Sequence, residues 1–308
     1  MYKNLGDSLI QSCVVAKSSI ILVAPFIKEG VMNRLLEVIS SNVSLTIVTR
    51  WIPEEILAGV NDLEVWELLK NHPQSSLYLR QNLHAKYYRC DESCLIGSAN
   101  LTAQALGWKH FSNLEILLQK SFQDESLQAF EADLLIGSIQ VNETIYLEYI
   151  ELVKLLSKEI ENISIQLEEP FFYSEQKLWL PILRNPEELY LAYSDQWNRL
   201  TTVARDLAKK ELSNFKIVQG LSQDTFNLYI SLFLKQTKIV QEIDQFIEVP
   251  RRFGEVKKFL DNLFVKKNID VDIAHTWQTL MRWLLYFLPN RYSCKVFNYS
   301  EIFYRIQK

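Results

Sequence analysis

The sequence predicts an α/β domain followed by an all-α domain. Up to residue 121, short β-branched apolar runs alternate with segments of helical spacing, the pattern of a sheet covered by helices. From residue 122 onward the apolar residues recur at helical intervals alone. The length of 308 residues suits two ordinary domains. With 48% hydrophobic residues and only 8 Gly and 8 Pro, the chain can fill two cores and has little material for long linkers. The first domain is therefore assigned to residues 1–121, with about residue 165 as its furthest extent, and the helical domain to 122–308.

Residues 19–24 form a continuous β-branched run, a strand buried on both faces. Helical spacing follows over 31–39, then apolar and polar residues alternate over 43–49, a second strand. Between 62 and 71, Leu63, Val65, Trp66, Leu68 and Leu69 lie along one helix. Three closely spaced strands come next, at 77–80, 84–89 and 93–96, the last two joined by a tight hairpin at Asp91, Glu92 and Ser93. A short helix over 101–106 and a strand over 114–118 complete the first domain. Beyond it, 144–163, 185–212, 224–249, 253–265 and 274–288 read as helices. The second of these begins with Asn185 as cap, Pro186 in the first helical position and acids at Glu187 and Glu188.

The formal charge of −4, from 33 Lys/Arg and 37 Asp/Glu, excludes a uniformly basic coat for nucleic acid but leaves room for a local phosphate site. Charge is also unevenly spread: net 0 over 1–120, −10 over 121–249 and +6 over 250–308. The basic end includes Arg251, Arg252, Lys257 and Lys258, interleaved with Phe253 and Phe259. These four are candidate nucleic-acid contacts; the competing reading is a solvated face of an ordinary helix. The four cysteines are too few and scattered for a disulfide scaffold, and no second pair completes a zinc site around Cys90 and Cys94. No metal and no cofactor is expected. The start of the chain lacks a leader pattern, and the longest apolar runs, 20–27 and 283–288, fall short of the roughly 20 residues that span a bilayer. A cytoplasmic protein without a membrane segment is the expectation.

One stretch carries chemistry: His84, Lys86 and Asp91, then Gly97, Ser98 and Asn100. Along a strand His84 and Lys86 project from one face. The hairpin returns the chain to Gly97, Ser98 and Asn100 at the mouth of the helix expected from Leu101. There, free backbone N–H groups would favour an anion.

This HxKxxxxD…GSxN pattern resembles the HKD signature of the phospholipase D superfamily over roughly residues 5–120. The following strand supplies Glu115 where that family usually places a carboxylate behind the histidine. One departure is visible: five residues separate Asp91 from Gly97, where the usual motif has six. The resemblance implies a mixed sheet flanked by helices and a phosphodiesterase that works without a metal through a covalent phosphohistidine. His84 would be the nucleophile. Lys86, Asn100 and Ser98 would hold the non-bridging oxygens, Glu115 would orient the imidazole, and Asp91 and Gly97 would be structural.

The mechanism needs two histidines, and none of His72, His110 and His275 is followed two residues on by lysine. A homodimer would supply the second copy. Single-motif members of this kind resemble nucleases, including those of restriction and phage-defence systems with partner proteins. The resemblance therefore implies a nuclease with DNA ahead of RNA as substrate. A phospholipid or small-diester hydrolase or transferase, and a non-catalytic subunit of a defence complex, are the alternatives.

Overall fold

A computed structural model describes residues 4–160, 179–215, 217–266, 269–297 and 300–306. Two compact units result, one ending at Ser157 and the other comprising residues 158–160 with 179–306 among those described. The sheet domain thus runs past residue 121 and takes in elements that the shorter boundary omits.

In the first unit, α1 (Leu5–Val15) leads into β1 (Ser19–Val23), α2 (Glu29–Leu36) and β2 (Ser44–Thr49). Then come α3 (Pro53–Leu57), α4 (Val65–Lys70), β3 (Ser75–Leu79), β4 (Tyr87–Cys90), β5 (Ser93–Gly97) and β6 (Leu117–Ser121). α5 (Glu125–Leu134), β7 (Ile139–Gln140) and α6 (Glu143–Glu159) follow. The seven strands form one mixed sheet in the order β6-β5-β4-β1-β2-β3-β7. β1, β2 and β3 are parallel, while β4, β5 and β6 return as an antiparallel meander. β1 at the centre is buried on both faces, as its unbroken apolar run requires. Cys13, Cys90 and Cys94 are buried packing residues, the first two with sulfurs 4.0 Å apart.

Two sequence expectations change here. His84 and Lys86 do not lie within a strand, because β4 starts only at Tyr87. The alternation survives nevertheless: Leu83, Ala85 and Tyr87 all join the cluster around Val23, Val48 and Cys94, leaving His84 and Lys86 for the other side. Residues 101–107 form turns rather than a helix. Leu101 is drawn into a bridge with Ile27, the Thr102 hydroxyl takes the Ala105 N–H at 3.2 Å, and Gly107 ends the segment at φ +78°. No helix N-terminus therefore stands beside Asn100.

The second unit is helical: α7 (Glu187–Tyr193), α8 (Thr202–Leu212), α9 (Gln223–Gln236), α10 (Lys238–Phe246), α11 (Phe253–Lys266) and α12 (Ile273–Phe287). The sequence had not suggested its small antiparallel sheet of β8 (Arg251–Arg252), β9 (Tyr292–Phe297) and β10 (Ser300–Arg305). The helix expected over 185–212 is broken where Asp195 adopts φ +58° and Thr201 caps a new start. The one expected over 224–249 breaks at the extended Thr237, and the end of the one expected over 144–163 lies outside the described residues. Trp179 packs edge to face against Phe215, Phe233 and Trp283 in the core, and the Trp283 indole donates to the Leu183 carbonyl at 2.7 Å. Asp244 of α10 accepts from Arg291, Tyr292 and Arg305, tying the small sheet down.

Candidate active site

Strand register brings the motif residues to one end of the strands of the large sheet. Val23, near the end of β1, is opposite both Val48 of β2 and Tyr87 of β4. The approach to β4, with His84 and Lys86, therefore lies where the parallel strands end, the usual place for ligands in open α/β sheets. Tyr87 pairs with Ile96, and the Gly97 N–H donates to the Lys86 carbonyl at 3.3 Å. Gly97 in turn faces Leu117. His84, Lys86, Ser98, Asn100 and Glu115 thus converge from three separate segments.

Gly97 is needed for this approach. A Cβ there would lie 1.8 Å from the carbonyl oxygen of Ile116, a backbone atom that cannot swing aside. The close passage lets the Ser98 N–H reach that oxygen at 3.0 Å, while Ile116 N–H donates to Ser98 Oγ at 3.1 Å. The Ser98 hydroxyl donates to Glu115, whose other oxygen accepts from the Asn113 amide at 3.1 Å. Ser98 and Glu115 therefore brace each other across the β5–β6 edge. Ser98, expected to hold a phosphate oxygen, has its hydroxyl committed to this brace.

Lys86 is half-buried, and its ammonium donates to the His84 carbonyl at 2.8 Å. Burial lowers its pKa, the Arg50 cation lowers it further, and Glu115 opposes both. His84 is exposed. The carboxamide oxygen of Asn100 is buried without a hydrogen-bond partner among the described residues, an arrangement that costs about 1–3 kcal/mol unless a ligand or water donates to it.

Asp91 stands at the far end of the β4–β5 hairpin. Its carboxylate accepts from Lys17 N–H (2.7 Å), Ser18 N–H (3.0 Å), Ser18 Oγ–H (2.8 Å) and Ser19 N–H (2.9 Å). Burial pushes its pKa up, but these hydrogen bonds prevail and hold the carboxyl below its ordinary range. The short motif spacing reflects a two-residue turn of Asp91 and Glu92 between the paired Cys90 and Ser93, with Asp91 at φ +51°. Asp91 thus ties the β4–β5 hairpin to the chain between α1 and β1.

Three supporting residues escaped the sequence reading. Tyr88, fully buried, donates its hydroxyl to the Ala99 carbonyl at 2.5 Å and so fixes the loop that carries Ser98 and Asn100. Burial, then the Glu115 charge, keeps that phenol protonated. Asn61 joins the ends of β1 and β2 through Pro25 O (2.9 Å), Arg50 O (2.5 Å) and Ile27 N–H (3.2 Å). Arg50 is buried under the approach to His84. The available signal was a polar residue at the end of an apolar strand, as in Arg50 after Thr49.

In the second unit, Arg252, Lys257 and Lys258 are exposed. Arg251 is half-buried: it stacks over Phe246 at 4.6 Å, donates to the Phe246 carbonyl at 3.1 Å and pairs with Glu255 at 3.7 Å.

An imidazole, an ammonium and a carboxamide thus meet where the parallel strands end. Residues 9–134 match the family described as "Cardiolipin synthase, PLD-like domain". The first unit accordingly carries a domain of the phospholipase D superfamily, whose members act on phosphodiesters. Among solved structures, NucT from Helicobacter pylori is 16% identical at a TM-score of 0.36, the match covering 44% of this chain and 89% of that one. Phosphatidylserine synthase of Haemophilus influenzae Rd KW20 is 13% identical at a TM-score of 0.38, over 51% of this chain and 42% of that one. Comparison with curated proteins gives no match. Among the described residues no helix is long and apolar enough to cross a membrane.

Proposed function

We propose that the protein is a phosphodiesterase that cleaves nucleic acid, DNA ahead of RNA, through a phosphohistidine at His84, with two copies of the site joined in a homodimer and no metal required. The observation that carries this reading is the convergence of His84, Lys86 and Asn100 where the parallel strands end in a phospholipase D-like domain. His84 would attack phosphorus, forming the N–P bond as the leaving oxygen departs with a proton from the partner's His84. That second imidazole, now neutral, would take a proton from water, whose oxygen displaces His84 and releases the phosphate product. Lys86 would offset charge on the non-bridging oxygens, and the buried acceptor of Asn100 would receive a proton donor such as the attacking water. Ser98 and Glu115 keep the loop in place.

Support for the dimer comes from the surface beside the site. Phe111, Leu114, Ile116 and Leu118 are all more than half exposed. They flank Glu115 and lead into β6, which forms one edge of the sheet. An apolar, unpaired edge next to half of an active site suits a second copy of the chain.

The test is incubation of the full chain with plasmid, oligonucleotide and phospholipid vesicles in EDTA, wild type beside His84→Ala. Cleavage of DNA by the wild type alone, with a mass gain on His84 trapped by a denaturing quench at alkaline pH, is expected. Turnover of lipid and not nucleic acid would move the reading to the lipid branch. Equal behaviour of the two proteins on every substrate would sink it.

A further inference from the structure

We propose that Arg50, clamped by Glu55, is a positioning residue for His84 and Lys86, acting through the carbonyl of Leu83. The proposal rests on the functional reading above for what the two residues do, but the placement stands on its own geometry.

Residues 83–86 lie outside any strand, so few backbone bonds fix the segment that presents His84 and Lys86. It is tied at one end by Arg80 N–H to the Thr49 carbonyl at 2.8 Å, and at the other by Gly97 N–H to the Lys86 carbonyl at 3.3 Å. Between these ties, Arg50 Nη1 donates to the Leu83 carbonyl at 2.9 Å, one peptide from His84. Arg50 is only 2% exposed, too deep to touch substrate. Its fork is oriented by Glu55, with Nε to Oε2 at 3.0 Å and Nη2 to Oε1 at 2.5 Å. Asn61 holds its carbonyl, and the ring of Phe26 lies 5.2 Å beneath the guanidinium.

A buried ion pair is a poor source of stability, since apolar side chains of similar volume often do as well or better. What this pair supplies that apolar side chains could not is a rigid, planar donor aimed at the His84 segment. It also sets a fixed positive charge near Lys86, which lowers the pKa of its ammonium in the same direction as burial does. Glu115 is the anion that faces Lys86 from the opposite segment. Geometry and charge thus reach both residues from one buried group.

The test compares wild type with Arg50→Met/Glu55→Leu, which removes both charges together, and with Arg50→Lys, which keeps the charge but lacks the fork. Two measurements need no turnover: the pH midpoint for acylation of Lys86, and the rate of diethylpyrocarbonate modification of His84, both read by mass spectrometry. The third is the pH profile of cleavage in EDTA. For the double variant, a Lys86 midpoint displaced to higher pH, a changed His84 rate and a kcat lowered about 10- to 100-fold at nearly constant KM are expected. Arg50→Lys should leave the Lys86 midpoint near wild type and still lower kcat. If the double variant fails to fold, the Arg50→Lys comparison decides the geometric part, because unchanged His84 rate and kcat there refute it. Folded variants with unchanged Lys86 midpoint and His84 rate would overturn the proposal. A wild type that cleaves nothing while the Lys86 midpoint and His84 rate shift as expected would refute the functional reading and leave Arg50 in its role.

Discussion

Asp91 separates two meanings of a motif residue, chemistry and scaffold, and its replacement can be worked through quantitatively. It lies five residues beyond Lys86 along the hairpin, roughly 16 Å at about 3.3 Å per residue. Its carboxylate instead gathers four donors from Lys17, Ser18 and Ser19, where the chain passes from α1 into β1. Hydrogen bonds to an ionised group contribute about 1.5–3 kcal/mol each when shielded. These lie at the surface, so solvent reduces the whole set to about 2 kcal/mol. Asp91 also occupies φ +51°, which Asn tolerates and Ala resists at a further cost of about 1 kcal/mol.

Asp91→Asn should therefore lower unfolding free energy by about 1–2 kcal/mol and Asp91→Ala by about 3 kcal/mol at pH 7. Urea unfolding followed by far-UV circular dichroism measures both. The folded pKa lies below the ordinary 3.8, so the contribution is complete above that value and is lost as pH falls through the folded one. The gap between wild type and Asp91→Asn must then narrow only below about pH 4. Cleavage by the folded variants should stay near wild type. A gap within error at pH 7, a gap equally wide at pH 2.5, or a folded Asp91→Asn protein without activity would each refute the reasoning.

Two further substitutions probe the edge beside the site. Gly97→Ala places a methyl 1.8 Å from the Ile116 carbonyl oxygen, forcing β6 aside and breaking the Ser98–Glu115 brace. A destabilisation of roughly 2–4 kcal/mol with loss of cleavage is expected, checked by urea unfolding and the EDTA assay, and wild-type stability would contradict it. Leu114→Asp with Leu118→Asp changes two side chains that are 103% and 54% exposed. The protein should keep its circular dichroism spectrum, sediment as a monomer and lose activity; a persistent dimer would remove this edge from the interface.

Much of the sheet was legible because its strands write their burial into the sequence. The unbroken run at β1 needs two covered faces, and Leu83, Ala85 and Tyr87 alternate with His84 and Lys86 even though only Tyr87 is in a strand. The turn at 101–107 was not legible, since its apolar residues fit a helix and only long-range pairing of Leu101 with Ile27 decides otherwise. The break at Asp195 was equally hidden, because a single left-handed residue leaves helical spacing intact on both sides. Of the site, the residues recognisable by type were found. Tyr88, Asn61 and Arg50 were missed because each acts through a backbone carbonyl that the fold alone brings near.

Those hidden residues also bear on how a unit whose first 120 residues carry no net charge would host chemistry on an anion. At a distance Arg50 and Glu55 cancel as a pair, although of the two only Arg50 acts on Lys86, and Lys86 is in turn balanced by the nearby Glu115 carboxylate, so the site has no large excess of positive charge. Its attraction for a distant polyanion is correspondingly weak, and long-range steering cannot be its main device. What remains is local: donors and acceptors held at fixed positions, which under the proposed reading would act only once a phosphodiester is already seated. A site of that kind depends on the rigidity of its frame more than on its charge. The second unit carries the exposed Arg252, Lys257 and Lys258, so under the proposed nucleic-acid reading the grip on the polymer and the chemistry on one phosphate would belong to different parts of the chain.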